Sequence, residues 1–331
     1  MSIKPLALPA AAPLAAAARW MDYLTLLKPR VMSLVVFTAL TGLVCARQPI
    51  EPALAAIAIL CIAVGAGGSA ALNMAFDSDI DALMRRTRRR PVPAGRVKRA
   101  DAQALGVVLS LFSVLLMGLA TNVLAAGLLA FTIVFYVVVY TLWLKRRTPQ
   151  NIVIGGLAGA LPPLVGWAAA SGTAPLNAWL LVAIIFVWTP PHFWALSLYT
   201  TSDYAAAGVP MMPVVRGARS TRWQILAYCL ALAPLGLAPA FTGLGGWLYL
   251  VIAAAGGAGM AALGVRLALS CAGDAAATDA GGRTLYDVRA ANRPARDLFA
   301  FSLIYLFALF AALLVERLTG APVWPLGALR V

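Results

Sequence analysis

The chain has 331 residues, 62% of them hydrophobic and 11% charged, where a soluble domain carries roughly 25% charged residues. That composition excludes an ordinary soluble globular protein. The net charge of +14 and the pI near 10.3 would suggest nucleic acid in a soluble chain; in one this apolar they describe basic loops holding one side of a membrane, and no nucleic-acid partner is expected.

Residues 1–22, opening "MSIKPLALPAAAPLAAAARW", are rich in Ala and Pro. They lack the strong apolar core of a signal peptide and the several arginines of a transit peptide, and they read as a loose cytoplasmic tail. Nine apolar runs follow, near 27–46, 53–76, 101–120, 122–143, 151–170, 177–199, 223–243, 246–271 and 298–318. Each is about 20 residues long, enough to cross a bilayer of about 30 Å as a helix. A barrel would show short alternating segments instead. The fold class expected is therefore an all-α integral membrane protein with nine transmembrane helices, one domain over 23–318, and a short C-terminal tail at 319–331.

The fifth run holds "GGLAGALPPLVG", whose Gly and Pro suit a tightly packed membrane helix. Cys45, Cys61, Cys229 and Cys271 fall in or beside apolar runs without a C-x-x-C, which predicts core packing and neither a metal site nor a disulfide framework. Nearly all Lys and Arg lie in the tail and in loops 77–99, 144–150, 200–222 and 272–297, while the opposite side holds Arg47, Arg317 and Arg330. That asymmetry predicts a cytoplasmic N-terminus and a C-terminus on the far side.

The second run ends in "ALNMAFDSDIDALMRRTRRRPVPAG". Asn73, Asp77 and Asp81 are spaced i, i+4, i+8, which puts them within about 80° of one another on a helix, while Asp79 points elsewhere. Two readings fit: the acids pair with the arginines that follow, or three oxygen-bearing side chains on one stripe hold a hard cation such as Mg²⁺. Ionisable residues at membrane depth favour a functional role. Arg85, Arg86, Arg88, Arg89, Arg90, Arg96, Lys98 and Arg99 follow. Most read as a solvated charge run; two or three beside a bound cation describe a diphosphate site. Lys145, Arg146 and Arg147 after the fourth run, and Asp203 after the sixth, fall on the same face.

These residues carry a resemblance. "NMAFDSDIDALMRRTRRRPVPAGRV" resembles the first aspartate-rich motif, N-x-x-x-D-x-x-x-D, of the UbiA superfamily of intramembrane prenyltransferases. "LLKPRVMSLVVFTALTG", "YTLWLKRRTPQNIVIGGLAGALPPLVGW", "WTPPHFWALSL", "DYAAAGVPMMPVV" and "LFAFSLIYLFALF" resemble its branch that farnesylates protohaem. The resemblance spans about residues 23–318. It implies a UbiA-type bundle that transfers farnesyl from farnesyl diphosphate to a vinyl group of haem b. Water adds to the other vinyl carbon, and haem O and diphosphate are released. Membrane lipid is the surrounding medium, and haem A synthase or terminal-oxidase assembly is the implied downstream partner. The absence of a convincing transit peptide favours a bacterial inner membrane over a mitochondrial one.

By the same resemblance, Asn73, Asp77 and Asp81 bind Mg²⁺–diphosphate and act with Lys145 in catalysis. Asp203 is a remnant second metal motif, since Tyr199 stands four residues before it where many members carry an acid; a second Mg²⁺ is accordingly in doubt. Ser78 stands where the branch often has a basic residue. Lys28, Arg30, Arg90, Lys145 and Arg146 fall on basic positions that take the diphosphate or the haem propionates. His192, the only histidine, lies inside the sixth run after Pro190 and Pro191. It reads as a packed helix histidine, as a haem ligand or as the base for the added water. Tyr136, Tyr140, Trp167, Trp188, Phe193 and Trp194 either line a dry cavity or simply pack. Two alternatives stand beside this reading: a prenyltransferase for an aromatic or quinone precursor, and a non-catalytic transporter.

Overall fold

In the computed structural model, residues 18–274 and 290–320 are described, and among them no strand forms. The helices are α1 (Trp20–Leu26), α2 (Pro29–Cys45), α3 (Pro52–Phe76), α4 (Ser78–Leu83), α5 (Arg99–Ala120), α6 (Val123–Val134), α7 (Asn151–Ala160), α8 (Pro162–Ser171), α9 (Leu176–Leu198), α10 (Thr201–Ala206), α11 (Met212–Phe241), α12 (Trp247–Ala268) and α13 (Arg293–Thr319). Eight helical stretches among the described residues are long and apolar enough to span a membrane, and α1 with α2 makes a ninth, bent by 49°. The chain is thus a multi-pass membrane protein with the span order expected. Residues 1–17, 275–289 and 321–331 lie outside the described residues, and with them most of the two tails and part of the last basic loop. Helix α1 starts at Trp20, inside the stretch read as tail.

Local chemistry sets the boundaries. Pro29, Pro52 and Pro162 open α2, α3 and α8, where a missing N–H is harmless and the fixed φ suits a helix start. Glu51 caps α3 by accepting from the Leu54 N–H at 3.0 Å. Asn122 caps α6 by accepting from the Ala125 N–H at 2.9 Å and donates to the Ala168 carbonyl at 2.8 Å, tying the fourth span to the fifth. The paired prolines split the fifth span into α7 and α8 at Leu161. Span seven begins earlier than expected: α11 runs from Met212, with a break at Gly217, whose φ of 78° lies in the left-handed region that glycine alone enters freely.

Lipid-facing and interior helices differ as composition predicts. Of the apolar window of α7–α8, 72% is buried inside the bundle, and of α9, 67%, against 28% for α5. Helix α5 turns Val108, Leu111, Phe112, Leu115 and Leu119 outward, an apolar face that only lipid or another apolar partner tolerates. Helix α2 packs on α8 at backbone contact, with the Pro163 carbonyl occupying the space a Cβ on Gly42 would need and the Ala39 carbonyl doing the same at Gly166. Small residues at crossings let membrane helices approach this closely. Cys45, Cys61 and Cys229 are buried thiols, as expected; Cys271 is exposed, and no disulfide forms among the described residues.

The fourth span departs from a regular helix. After Val134 it widens into a π-helix over Phe135–Trp143 and closes with a 3₁₀ turn at Leu144–Arg146. Such segments are rare and concentrate at functional sites.

Candidate active site at one end of the bundle

Helix α3 stops at Phe76, and Asp77 sits at its junction with α4. The break does not scatter the acids. The Asp77 N–H donates to the Asn73 carbonyl at 2.9 Å, and the Asp81 N–H to the Asp77 carbonyl at 2.8 Å, so the i, i+4, i+8 stripe survives. Asn73, Asp77 and Asp81 are 3%, 0% and 2% exposed, whereas the Asp79 side chain is 61% exposed. Three polar side chains are therefore held out of water at one helix end, and each must find partners.

The partners come from three other segments. Lys28 Nζ donates to Asn73 Oδ1 at 2.8 Å. Lys28 itself has φ 50°, ψ 57°, left-handed backbone immediately before Pro29, an arrangement that costs about 1 kcal/mol or more for a residue with a Cβ. The same turn makes the bend between α1 and α2. Asn73 Nδ2 donates to Asp77 Oδ2 at 2.8 Å and to Thr141 Oγ at 3.0 Å. Thr141 in turn donates to the Tyr136 carbonyl, five residues back, at 2.9 Å, so the π-helical turn sets where its hydroxyl points. Lys145 Nζ donates to Asp77 Oδ2 at 2.5 Å, and Arg90 pairs with Asp81 Oδ2 at 2.7 Å.

One atom is left over. Asp77 Oδ1 is buried with no hydrogen-bond partner; Arg146 Nη2 stands 4.0 Å away, beyond hydrogen-bond reach. A buried carboxylate oxygen with nothing donating to it is costly. It is the expected state of an oxygen waiting for an ion. Among the described residues no three His, Cys, Asp or Glu side chains gather as a ready-made cage. Two carboxylates and an amide suit Mg²⁺ in particular, which keeps several waters and takes its remaining oxygens from substrate phosphates.

The other residues singled out from the sequence divide. Arg146 grips Asp79 with two bonds of 2.7 Å and reaches the Phe76 carbonyl at 3.1 Å; its hydrogen bonds hold the Asp79 carboxyl down at about 2. This pair borders a cleft of about 250 Å³ with Phe76, Arg99, Thr141 and Leu142. Asp203 stands on α10, half-buried and without an ion pair among the described residues. Beside it Tyr204 is buried. Burial raises its phenol above the usual range, Arg86 and Arg90 pull it back, and Asp203 and Asp81 push it further up. Asp203 thus shares a neighbourhood with Asp81 while standing apart from the stripe. Arg30 is exposed on the first turn of α2 and makes no ion pair among the described residues. Arg86 and Thr141 were not singled out as ligands from the sequence; the signal for Thr141 was a hydroxyl four residues before Lys145 in an apolar run.

His192 lies deeper. It is 6% exposed and sandwiched between Trp188 and Phe299, with ring centroids at 4.3 and 4.4 Å and interplanar angles of 17° and 20°. Its Nδ1 lies 2.8 Å from Ser302 Oγ. Phe193 meets the imidazole edge-on at 5.2 Å. Tyr136 and Tyr140 stack at 5.5 Å, while Trp194 packs inward against Tyr228.

Residues 35–286 match the model of the UbiA prenyltransferase family. The chain belongs to the UbiA prenyltransferase family. It is 67% identical over 316 residues to a protoheme IX farnesyltransferase of Caulobacter sp. (strain K31), with 92% of each chain covered. A solved structure concerned with digeranylgeranylglyceryl phosphate synthase covers 90% of this chain and 98% of its own, at TM-score 0.70 and 15% identity. A UbiA homologue of Archaeoglobus fulgidus bound to DMAPP and Mg²⁺ covers 88% of this chain and 99% of its own, at TM-score 0.55 and 14% identity. Those two likenesses are of fold. This UbiA prenyltransferase is an enzyme of the class the aspartate stripe suggested.

Proposed function

We propose that this prenyltransferase transfers farnesyl from farnesyl diphosphate to a vinyl group of haem b, giving haem O and diphosphate. The relative that shares two thirds of its residues bears that activity's name, and the observation in the molecule that supports it is the unpartnered Asp77 Oδ1 among Lys28, Lys145 and Arg90. The C1–O bond of farnesyl diphosphate breaks with its electron pair leaving on diphosphate. The vinyl π-pair closes on C1, and water adds to the remaining vinyl carbon and loses a proton.

Asp77 and Asp81 would hold the metal, with Asn73, now bonded to Lys28, as a third oxygen donor; Asp203 would be left for a weaker second position. Mg²⁺, when bound, neutralises the charge that develops on the departing diphosphate. Lys145, Arg90 and Lys28 leave their carboxylate and amide partners for phosphate oxygens, and Arg146 and Arg30 stand outside them at the mouth, where haem propionates or the distal phosphate arrive. Nothing in this scheme needs a side-chain nucleophile. The apolar bundle keeps bulk water from the allylic cation. The inner membrane of a bacterium is the setting, with the Asp77 end of the bundle and the N-terminus on the cytoplasmic side.

The test uses membranes containing the full chain, haem b, labelled farnesyl diphosphate and Mg²⁺, with 4-hydroxybenzoate as a rival acceptor. Haem O is the product expected. Labelled hydroxybenzoate, or no product in the presence of haem, overturns the haem reading.

A further inference from the structure

His192 is boxed in on every side but one. Trp188 and Phe299 cover its two faces, Phe193 abuts it edge-on, and Ser302 of α13 occupies Nδ1. Nε2 makes no hydrogen bond and is absent from the sealed, unpartnered atoms of the bundle. It is the only ring nitrogen left to meet a ligand, and only along the plane of the ring.

Ser302 decides which nitrogen carries the proton. Its Oγ lies 2.7 Å from the Phe299 carbonyl and 2.8 Å from His192 Nδ1. A carbonyl oxygen has no proton to offer, so the Ser302 hydroxyl must donate to it. The serine oxygen can then only accept from His192, and Nδ1 must bring its own hydrogen. The neutral imidazole is left with its lone pair on Nε2. The Ser302 carbonyl is itself held by Trp188 Nε1 at 2.8 Å, so both walls of the box are locked to α13. Among the described residues no carboxylate faces the ring from α9 or α13; its neighbours are Trp188, Phe193, Phe299 with its backbone carbonyl, and the Ser302 hydroxyl. A general base here would have no carboxylate to pair with the imidazolium it becomes, whereas a neutral nitrogen donor needs no counter-charge.

Resting on the haem reading above, we propose that Ser302 is a positioning residue that fixes His192 as the Nδ1–H tautomer, so that Nε2 ligates the iron of the porphyrin substrate. A hydrogen bond at the far nitrogen orients a ligating imidazole and raises its basicity, and removing such a partner typically costs roughly tenfold or more in metal affinity. Helical rise places His192 about 10 Å from the Tyr199 end of α9, a depth at which a porphyrin ligated there keeps its propionates towards the basic mouth.

The experiment binds haem b to the purified full-length protein in lipid nanodiscs and reads the Soret band, the ferric EPR signal and the iron–histidine stretch. The wild type is expected to show histidine ligation. His192→Gln loses it, and added imidazole restores it. Ser302→Ala keeps a histidine signal with a shifted iron–histidine stretch and roughly tenfold weaker haem binding, while Ser302→Thr, which keeps the hydroxyl, restores both. Melting temperatures of the variants exclude misfolding. A wild-type spectrum from His192→Gln overturns the ligation, and an unshifted stretch with unchanged affinity in Ser302→Ala overturns the positioning role. If His192→Gln binds haem normally and still makes haem O, this inference alone falls; if the wild type makes no haem O at all, the function itself falls.

Discussion

Two buried carboxylates mark the two ends of the bundle, and they are handled in opposite ways. Helix α2 joins them: Lys28 at its start touches Asn73, and Cys45 at its end lies near Glu316, about 25 Å away by helical rise. Glu316 on α13 accepts from the Gly246 N–H at 2.6 Å and the Tyr249 N–H at 2.9 Å, one backbone donor for each oxygen. It caps the start of α12 from a neighbouring helix, and Arg317 beside it donates to the Gly243 and Leu244 carbonyls. Asp77 has one oxygen crowded by Lys145 and Asn73 and the other bare. A buried acid whose oxygens are both used is a structural fastener. A buried acid left half-satisfied is poised for something that arrives.

Mutation can break that contrast. The largest effect is expected from Asp77→Asn: prenyl transfer falls roughly a thousandfold, yet the melting temperature drops little, because a neutral side chain relieves the bare oxygen. Glu316→Ala should do the reverse, lowering stability by about 3 kcal/mol as two buried N–H groups lose charged acceptors, with activity per folded molecule unchanged. If thermal melts show the Asp77 variant as the less stable of the two, the contrast is wrong. Thr141→Val is expected to sharpen it. Losing one neutral hydrogen bond to Asn73, of about 1 kcal/mol, should raise the KM for farnesyl diphosphate roughly fivefold and lower the melt by only about 2–4 °C. Asp79→Asn should matter least. Arg146 lowers the Asp79 pKa from 3.8 to about 2, so its stabilisation is fully present above pH 4 and is lost as pH falls through about 2. Because the pair is exposed, the wild type should melt only marginally above the variant at pH 6, with the gap closing at pH 2.

The spans were legible because each run is long enough to cross a bilayer and carries few charges, whereas the division of the fifth at Pro162–Pro163 was not read from the sequence. The Asn73–Asp77–Asp81 stripe was legible because helical spacing alone brings positions four apart together, and the backbone bonds across Asp77 preserve that spacing even where α3 gives way to α4. What spacing along the chain could not supply was pairing across it. Asp79 meets Arg146 67 residues later, Asn73 meets Thr141 68 residues later, and His192 meets Ser302 110 residues later. Ser302 in "LFAFSLIYLFALF" looks like any small polar residue in a membrane helix. Lys28 gave no hint of a left-handed turn either, since the residue before a proline is ordinarily extended.

The widened segment from Phe135 to Trp143 holds more residues than a regular helix would use to cover the same rise. Excising a single residue there would let the span relax into ordinary geometry and would swing everything beyond it by about 100° about the axis. The Thr141 hydroxyl and the Lys145 ammonium would then turn away from Asn73 and Asp77 together. A one-codon deletion in this stretch should therefore silence the enzyme while leaving a well-folded membrane bundle, a lesion of register with no change of composition.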